Sequence, residues 1–192
     1  ALKFLLYSLF GGLLMLASVI GVYIISTNQA DGTFDVTKLS QLTIDGTTQN
    51  WLFLGFFIAF AIKAPLWPLH TWLPTAARSS SAGVATLLLG VLDKVGTYGM
   101  VRFCMALFPQ ATKTFTPLII TLAVISILYG AFLAIGQRDI NSLISFTSIS
   151  HFGFITLGIF ALTSQGLSGA SFYMVNHGFS TAALFLVAGW MI

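Results

Sequence analysis

Residues 51–73 read WLFLGFFIAFAIKAPLWPLHTWL and decide the fold class of this chain. The run is long enough to cross a bilayer, since a spanning helix needs about 20 predominantly apolar residues. Lys63 lies near its middle, about 18 Å along a helix from Trp51. Pro65 and Pro68 follow, and because proline removes a backbone donor and clashes with the preceding turn, the helix is predicted to kink or break there. A charge at mid-membrane costs about 3 kcal/mol or more, so Lys63 is a candidate functional residue.

The rest of the chain is similarly apolar. Of its 192 residues, 57% are hydrophobic and 7% are charged, none is Glu, and the mean hydropathy is +0.94. This composition is typical of a polytopic membrane protein rather than a soluble globular domain. The apolar runs predict a single all-α transmembrane domain with six transmembrane helices, near residues 4–26, 51–73, 82–108, 116–136, 140–162 and 167–192.

One predicted connection is long and polar. Residues 27–50 carry three aspartates against a single lysine, and we expect them to lie outside the membrane. Two short pieces within this loop, residues 33–36 and 42–44, predict a small β-hairpin.

The loop charges predict the orientation. With the N-terminus inside, Lys3, Arg78 and Arg138 all fall on one side of the membrane. The positive-inside rule then favours cytoplasmic termini. We therefore expect a multi-pass protein of the cell inner (plasma) membrane, with the lipid bilayer as its surroundings.

Three further ionisable side chains lie deep in apolar runs. Lys94 is also near the midplane, and His151 and His177 lie on consecutive predicted helices with hydroxyl groups three or four residues away. At that spacing the hydroxyls share a helix face with each ring and can hold ordered water. These residues are Thr147, Ser148, Ser180 and Thr181. Each histidine alone is equally well explained by a neutral hydrogen bond between helices. Asp93 adjoins Lys94 but points about 100° away from it, and its role stays open.

The chemistry that these residues offer is proton exchange. A lysine in an apolar site can load and release a proton, and the pKa of histidine starts near 6.5. The chain lacks a Gly-rich phosphate loop and a nicotinamide or flavin fingerprint, so no cofactor is predicted. Its single cysteine and isolated histidines do not predict a metal site. Without a basic cluster, no nucleic acid is expected as a partner.

Four segments resemble the antiporter-like, proton-pumping subunits of respiratory NADH:quinone oxidoreductase (complex I). They are residues 60–74 (FAIKAPLWPLHTWLP), 90–99 (GVLDKVGTYG), 146–154 (FTSISHFGF) and 176–178 (NHG). The later segments fit the chain M type, which corresponds to mitochondrial subunit 4. The match covers most of the chain.

The resemblance implies roles for five residues. By similarity, Lys63 is the lysine of a broken helix, and Lys94 is the central lysine of the next helix. His151 and His177 would continue a hydrated path across the membrane plane, and His70 corresponds to the histidine after the break. Protons and internal water would be the moving species.

The resemblance also implies a longer protein. Subunits of this family contain two inverted helix repeats, so we expect this chain to be a central fragment or an engineered truncation, working beside other membrane subunits of a respiratory or antiporter complex. Thr75 stands where the family usually has aspartate, and the glutamate that normally pairs with the broken-helix lysine is missing. The complete relay is therefore not expected within this sequence.

Three functional readings stay open. The chain could belong to the proton-translocating module of complex I, without redox or hydrolytic chemistry of its own. It could instead belong to a multisubunit cation/proton antiporter, since such subunits share these motifs. A third reading is a non-conducting membrane scaffold that keeps the buried residues only for packing.

Overall fold

The computed structural model describes residues 2–29 and 32–191, and these are mostly helical. The helices in this part of the chain are α1 (Leu2–Gln29), α2 (Val36–Leu39), α3 (Gly46–Lys63), α4 (Trp72–Ser79), α5 (Ala82–Met105), α6 (Pro109–Ile135), α7 (Ile140–Phe160) and α8 (Ser164–Met191). No strand occurs in the described residues. The prediction of an all-α protein is confirmed.

Four of these helices are long and apolar enough to cross a membrane. They are α1, α5, α6 and α7. Large apolar side chains remain exposed along them, including Phe10, Val91, Phe132 and Phe154. Surfaces of this kind fit contact with lipid or with other membrane helices better than contact with water.

The polar connection after α1 contains a short helix rather than the predicted hairpin. Asp35 is the N-cap residue of α2, and its carboxylate accepts a hydrogen bond from the Thr37 amide at 2.9 Å. Asp45 is the N-cap residue of α3, and its carboxylate accepts a hydrogen bond from the Thr47 amide at 3.1 Å. The hairpin prediction was wrong because these aspartates act as helix N-caps, which favour helix initiation over strand pairing. The connection is also shorter than residues 27–50, since α1 continues to Gln29.

Helix α6 begins at Pro109 rather than near residue 116. Proline suits the first position of a helix because its missing N–H would have no partner there. The sequence interpretation treated Pro109 as part of a connection, and its position at the helix start explains the difference.

Aromatic rings fill the core between α3, α5 and α6. Phe53 stacks on Phe57 with ring centroids 5.7 Å apart and on Phe115 of α6 at 5.5 Å. Phe56 and Phe60 meet Phe103 of α5 at 6.2 and 6.1 Å. Pairs at such distances add to the burial of apolar area, so α3 is fixed firmly against α5 and α6.

Helix α1 joins the bundle through a stripe of mostly small residues. Its buried residues are Gly11, Ser18, Val22 and Ser26. A Cβ at Gly55 of α3 would lie 1.9 Å from the Ser18 hydroxyl oxygen. The two backbones therefore approach closely, as small residues permit in helix pairs within membranes.

Helix α7 occupies a central position, packing against α4, α6 and α8. A Cβ at Gly153 would lie 2.7 Å from the Ala123 carbonyl oxygen of α6, and one at Gly130 would lie 2.7 Å from the Ser150 amide nitrogen. These glycines allow α6 and α7 to pack backbone to backbone. Helix α8 packs against both α7 and α5, and so it closes the region in which the candidate lysine and histidines lie.

Candidate functional site

Lys63 is the last residue of α3, and no helix covers the following residues 64–71, here called the connecting segment. The segment keeps some irregular turns. The Ala64 amide donates to the Phe60 carbonyl at 2.7 Å, and the Leu66 amide donates to the Ala61 carbonyl at 3.1 Å. Lys63 itself is half-buried. The candidate lysine thus lies where the regular backbone of α3 ends.

Two side chains satisfy backbone groups at the end of α3 and in the connecting segment. The Trp72 indole, fully buried, donates to the Ile62 carbonyl of α3 at 2.9 Å. The Ser126 hydroxyl of α6 accepts from the Trp67 amide of the segment at 3.4 Å and donates to the Ile149 carbonyl of α7 at 3.2 Å. Because buried backbone groups need partners, these contacts tie the end of α3 to α4 and the segment to α6 and α7. Sequence reasoning missed both side chains, since tryptophan and serine at these positions also fit ordinary packing.

His70 lies in the connecting segment and is buried. Its ring meets Tyr129 of α6 edge to face, with centroids 4.9 Å apart, and Nδ1 has no hydrogen-bond partner among the described residues. Among the described residues, no ring contact or hydrogen bond joins His70 to Lys94, His151 or His177. The structure therefore does not bring His70 together with those candidates.

Helix α5 is irregular on both sides of Lys94. Residues Leu88–Leu92 and Met100–Met105 form π-helical segments, a local geometry that is frequent at functional sites. The Lys94 ammonium donates to the Leu89 carbonyl, five residues earlier, and lies 5.1 Å from the centre of the Phe152 ring of α7. Lys94 is therefore directed toward α7 and α8.

Five side chains from three helices form what we call the histidine cluster: Lys94, His151, Phe152, Tyr173 and His177. The His151 and His177 rings lie 5.2 Å apart between centroids, and Phe152 lies 5.2 Å from His177. His151 Nδ1 makes a hydrogen bond with the Tyr173 hydroxyl. The cluster connects α5 to α7 and α8 by a continuous series of contacts.

The two histidines differ in surroundings. His177 is 3% exposed, and its Nδ1 has no hydrogen-bond partner in the described residues, while Nε2 lies 3.2 Å from the Thr181 hydroxyl. His151 is only half-buried. Tyr173 was missed by sequence reasoning, although Tyr173, His177 and Thr181 recur every four residues and so share one face of α8.

The hydroxyl groups predicted beside the histidines differ in their hydrogen bonds. Thr181 contacts the His177 ring, as expected. The Thr147 hydroxyl instead donates to the Ile144 carbonyl at 2.8 Å, and the Ser180 hydroxyl donates to the Asn176 carbonyl at 2.9 Å. Both are thus engaged with their own helix backbone, as serine and threonine often are within helices.

A groove of about 640 Å³ runs between α5 and α8 beside the cluster. Lys94 is its charged lining residue, and most of the others are apolar, such as Val91, Met174 and Phe179. The described residues contain no group of three His, Cys, Asp or Glu side chains arranged to hold a metal ion. Within the described chain, the arrangement offers proton donors and acceptors in an apolar setting.

Comparison with known proteins places this geometry in a family. The family model described as NADH:quinone oxidoreductase/Mrp antiporter, TM, matches residues 1–192. The chain belongs to this family. Subunit M of NADH-quinone oxidoreductase from Mycobacterium tuberculosis is 55% identical to it over 198 residues, covering 100% of this chain and 36% of the relative. NAD(P)H-quinone oxidoreductase chain 4 from Gloeobacter violaceus is 40% identical, covering 98% of this chain and 35% of the relative.

Solved structures of the NADH:quinone oxidoreductase/Mrp antiporter family share the fold. Respiratory complex I from Thermus thermophilus matches with a TM-score of 0.91 and 37% identity, over 98% of this chain and 40% of the matched one. The Mrp complex from Dietzia sp. matches with a TM-score of 0.85 and 25% identity, over 97% of this chain and 34% of the matched one. The chain therefore spans little more than a third of the length of these relatives.

Proposed function

We propose that this chain is part of the proton-translocating membrane module of an NADH:quinone oxidoreductase. The observation that carries the proposal is the histidine cluster, where titratable side chains from α5, α7 and α8 follow one another within an apolar bundle. Proton transfer needs groups that can both accept and release a proton, and histidine and lysine do so. Family membership and the subunit M relative support the same function.

The proposed path starts at Lys63, passes Lys94, and continues through His177 and His151. His70, within the connecting segment, is proposed to exchange protons with the Lys63 end of the path and not directly with the cluster. Water would carry protons between groups that do not touch. The unpartnered Nδ1 of His177 supports this, because a buried polar atom without a protein partner is suited to bind water.

The membrane arrangement belongs to the same proposal. Besides the four long apolar helices, α8 would span the bilayer, and α3 and α4 would be two parts of one spanning helix interrupted near Pro65 and Pro68. This gives six spans. Irregular backbone at membrane depth is tolerated when it is buried in protein. The burial of Ala64 and Leu66 and the contact of the Trp67 amide with Ser126 support such an interruption. We propose cytoplasmic termini in an inner membrane and other membrane subunits as partners.

The test uses membrane vesicles in which the assembled complex carries Lys63→Met. The change removes a titratable group but keeps an unbranched apolar side chain, so proton uptake driven by NADH should fall about 100-fold. Lys113→Met is the matched control, since Lys113 is an exposed lysine near the start of α6. Unchanged uptake in the Lys63 variant, or an equal loss in both variants, would contradict the proposal.

The likeness to the Mrp complex from Dietzia sp. favours a second candidate, a subunit of a cation/proton antiporter. Proton movement driven by an imposed sodium gradient, without NADH, would support this candidate. Absence of proton movement under either condition would instead favour a non-conducting scaffold.

A further inference from the structure

Asp93 is a buried acid that the proposed path does not use. It is 1% exposed, and its Oδ2 has no hydrogen-bond partner in the described part of the chain. Between described residues, an ion pair within 4.0 Å occurs only at Arg78 and Asp139. A buried carboxylate without a hydrogen-bonded partner has lost its hydration with nothing to replace it, which is strongly unfavourable. An acid in such a place needs an explanation.

The backbone directs Asp93 toward the end of α3. Asp93 follows the first π-helical segment, and its amide donates to the Leu88 carbonyl, five residues earlier, at 3.2 Å. Three residues later, a Cβ at Gly96 would lie 2.5 Å from the Ala64 amide nitrogen, immediately after Lys63. Because residues three apart share a helix face, Asp93 lies on the side of α5 that meets the end of α3.

Lys94 leaves the same helix in another direction. A Cβ at Gly178 of α8 would lie 3.7 Å from Cε of Lys94, and the ammonium lies over Phe152 of α7. Helix α5 therefore presents an acid toward α3 and an amine toward the histidine cluster.

We propose that Asp93 is a proton-transfer site between Lys63 and Lys94. The inference rests on the proposed function and names a further residue of that path. The Lys63 ammonium gives a proton to the Asp93 carboxylate, which leaves a neutral amine and a neutral carboxylic acid. The acid then gives its proton to the neutral amine of Lys94, which becomes an ammonium while Asp93 returns to a carboxylate.

The charge balance explains why an acid is useful there. The three groups carry zero net charge before, during and after the transfer. In the intermediate step all three are individually neutral. An apolar environment penalises separated charges far more than neutral polar groups. A path through a neutral acid therefore avoids placing two ammonium groups, or an unpaired one, between the helices.

The test compares Asp93→Asn, Asp93→Glu and the control Thr156→Val in the assembled complex. Asparagine keeps the size of the side chain and cannot take up the proton, so NADH-driven proton uptake should fall about 100-fold. Glutamate should recover most of the uptake. Thr156 is a buried residue of α7 whose hydroxyl has no hydrogen-bond partner among the described residues, and its variant should keep wild-type uptake. Melting temperatures are measured for all three variants.

An infrared measurement gives a second, non-structural readout. Turnover should produce the carbonyl stretching band of a protonated carboxylic acid, shifted by 13C labelling of aspartate and absent from Asp93→Asn. Wild-type uptake in Asp93→Asn, with uptake lost in Lys63→Met, would overturn the role of Asp93 and leave the proposed function standing. Wild-type uptake in both variants would overturn the proposed function itself. Loss of uptake with a lowered melting temperature and no recovery by glutamate would show a packing role and overturn the inference.

Discussion

The backbone around the connecting segment and the buried histidine rings differ in how their polar atoms are paired. Where α3 ends, the Ile62 carbonyl is matched by the Trp72 indole, and the Trp67 amide of the segment is matched by the Ser126 hydroxyl. By contrast, Nδ1 of His177 in the cluster, like Nδ1 of His70 in the segment, is buried without a partner in the described residues. The difference separates a fixed backbone from rings that keep bonding capacity for protons and water. Disturbing the first should cost stability, and disturbing the second should cost transport.

The largest expected effect comes from the cluster. His151→Gln and His177→Gln each keep a hydrogen-bonding side chain but lose titration, so proton uptake should fall about 100-fold in each. Because groups that act in series are not additive, the double variant should be no worse than the poorer single one. Uptake in vesicles and melting temperature are measured together. Stability loss with normal uptake would show that the histidines serve packing and would remove the contrast between the two regions.

A smaller effect is expected from the connecting segment. Trp72→Phe removes the indole donor and leaves the buried Ile62 carbonyl unsatisfied, which should lower the free energy of unfolding by about 1–3 kcal/mol. Proton uptake should change less than in the histidine variants. Chemical unfolding in detergent gives the free energy, with Trp190→Phe as the matched control because Trp190 is 94% exposed. An equal response of the two tryptophan variants would show that the indole contact does not hold the segment.

The sequence predicted the elements better than the contacts between them. The all-α membrane class could be predicted because apolar residues make up most of the chain. The positions of Lys63 and Lys94 within apolar runs could be read directly from the sequence. The contact of Trp72 with Ile62 could not be predicted, because it depends on how the chain turns between α3 and α4. Tyr173 could have been found from its spacing to His177, but its pairing with His151 depends on the crossing of α7 and α8.

The sequence predictions were also wrong where one residue could indicate either a helix start or a different local structure. Residues 33–36 have strand propensity, yet Asp35 caps a helix there. Pro109 lies between two of the predicted helices, yet it opens α6. In both places a residue at a helix start has the opposite meaning from the same residue in a helix interior. Position within the element, which only the structure provides, decides which meaning applies.

The smallest predicted effect lies at a helix end outside both regions. Hydrogen bonding from Ser142, whose amide donates to the Asp139 carboxylate at 2.8 Å, holds the pKa of this carboxyl below its ordinary value. The positive charge of Arg78 acts in the same direction. A lowered pKa stabilises the folded state above the unfolded pKa, and this stability is lost as pH falls through the folded pKa. Since the carboxylate is exposed, the contribution should be about 0.5 kcal/mol.

Melting temperature against pH checks this prediction. In Asp139→Asn, the part of the acid-induced fall in melting temperature that comes from this carboxylate should disappear. Arg78→Gln breaks the 3.6 Å ion pair but leaves the Asp139 cap of α7 in place, so most of that fall should remain. The histidine cluster and the connecting segment should be unaffected by either change. An altered proton uptake in Asp139→Asn would contradict the division of the molecule into separate regions.

Helix α1 packs on α3 through a narrow stripe of buried residues, and this suggests that α1 could be replaced by another membrane helix. In lipid, apolar side chains gain nothing by leaving the bilayer for a neighbouring helix, so the attachment depends on close backbone approach at a few positions. Only Gly11, Ser18, Val22 and Ser26 of α1 are buried. An unrelated spanning segment that carries these four residues at the same spacing, together with Phe4 and Tyr7 for their contacts with Trp72 and Thr71, should therefore dock in the place of α1.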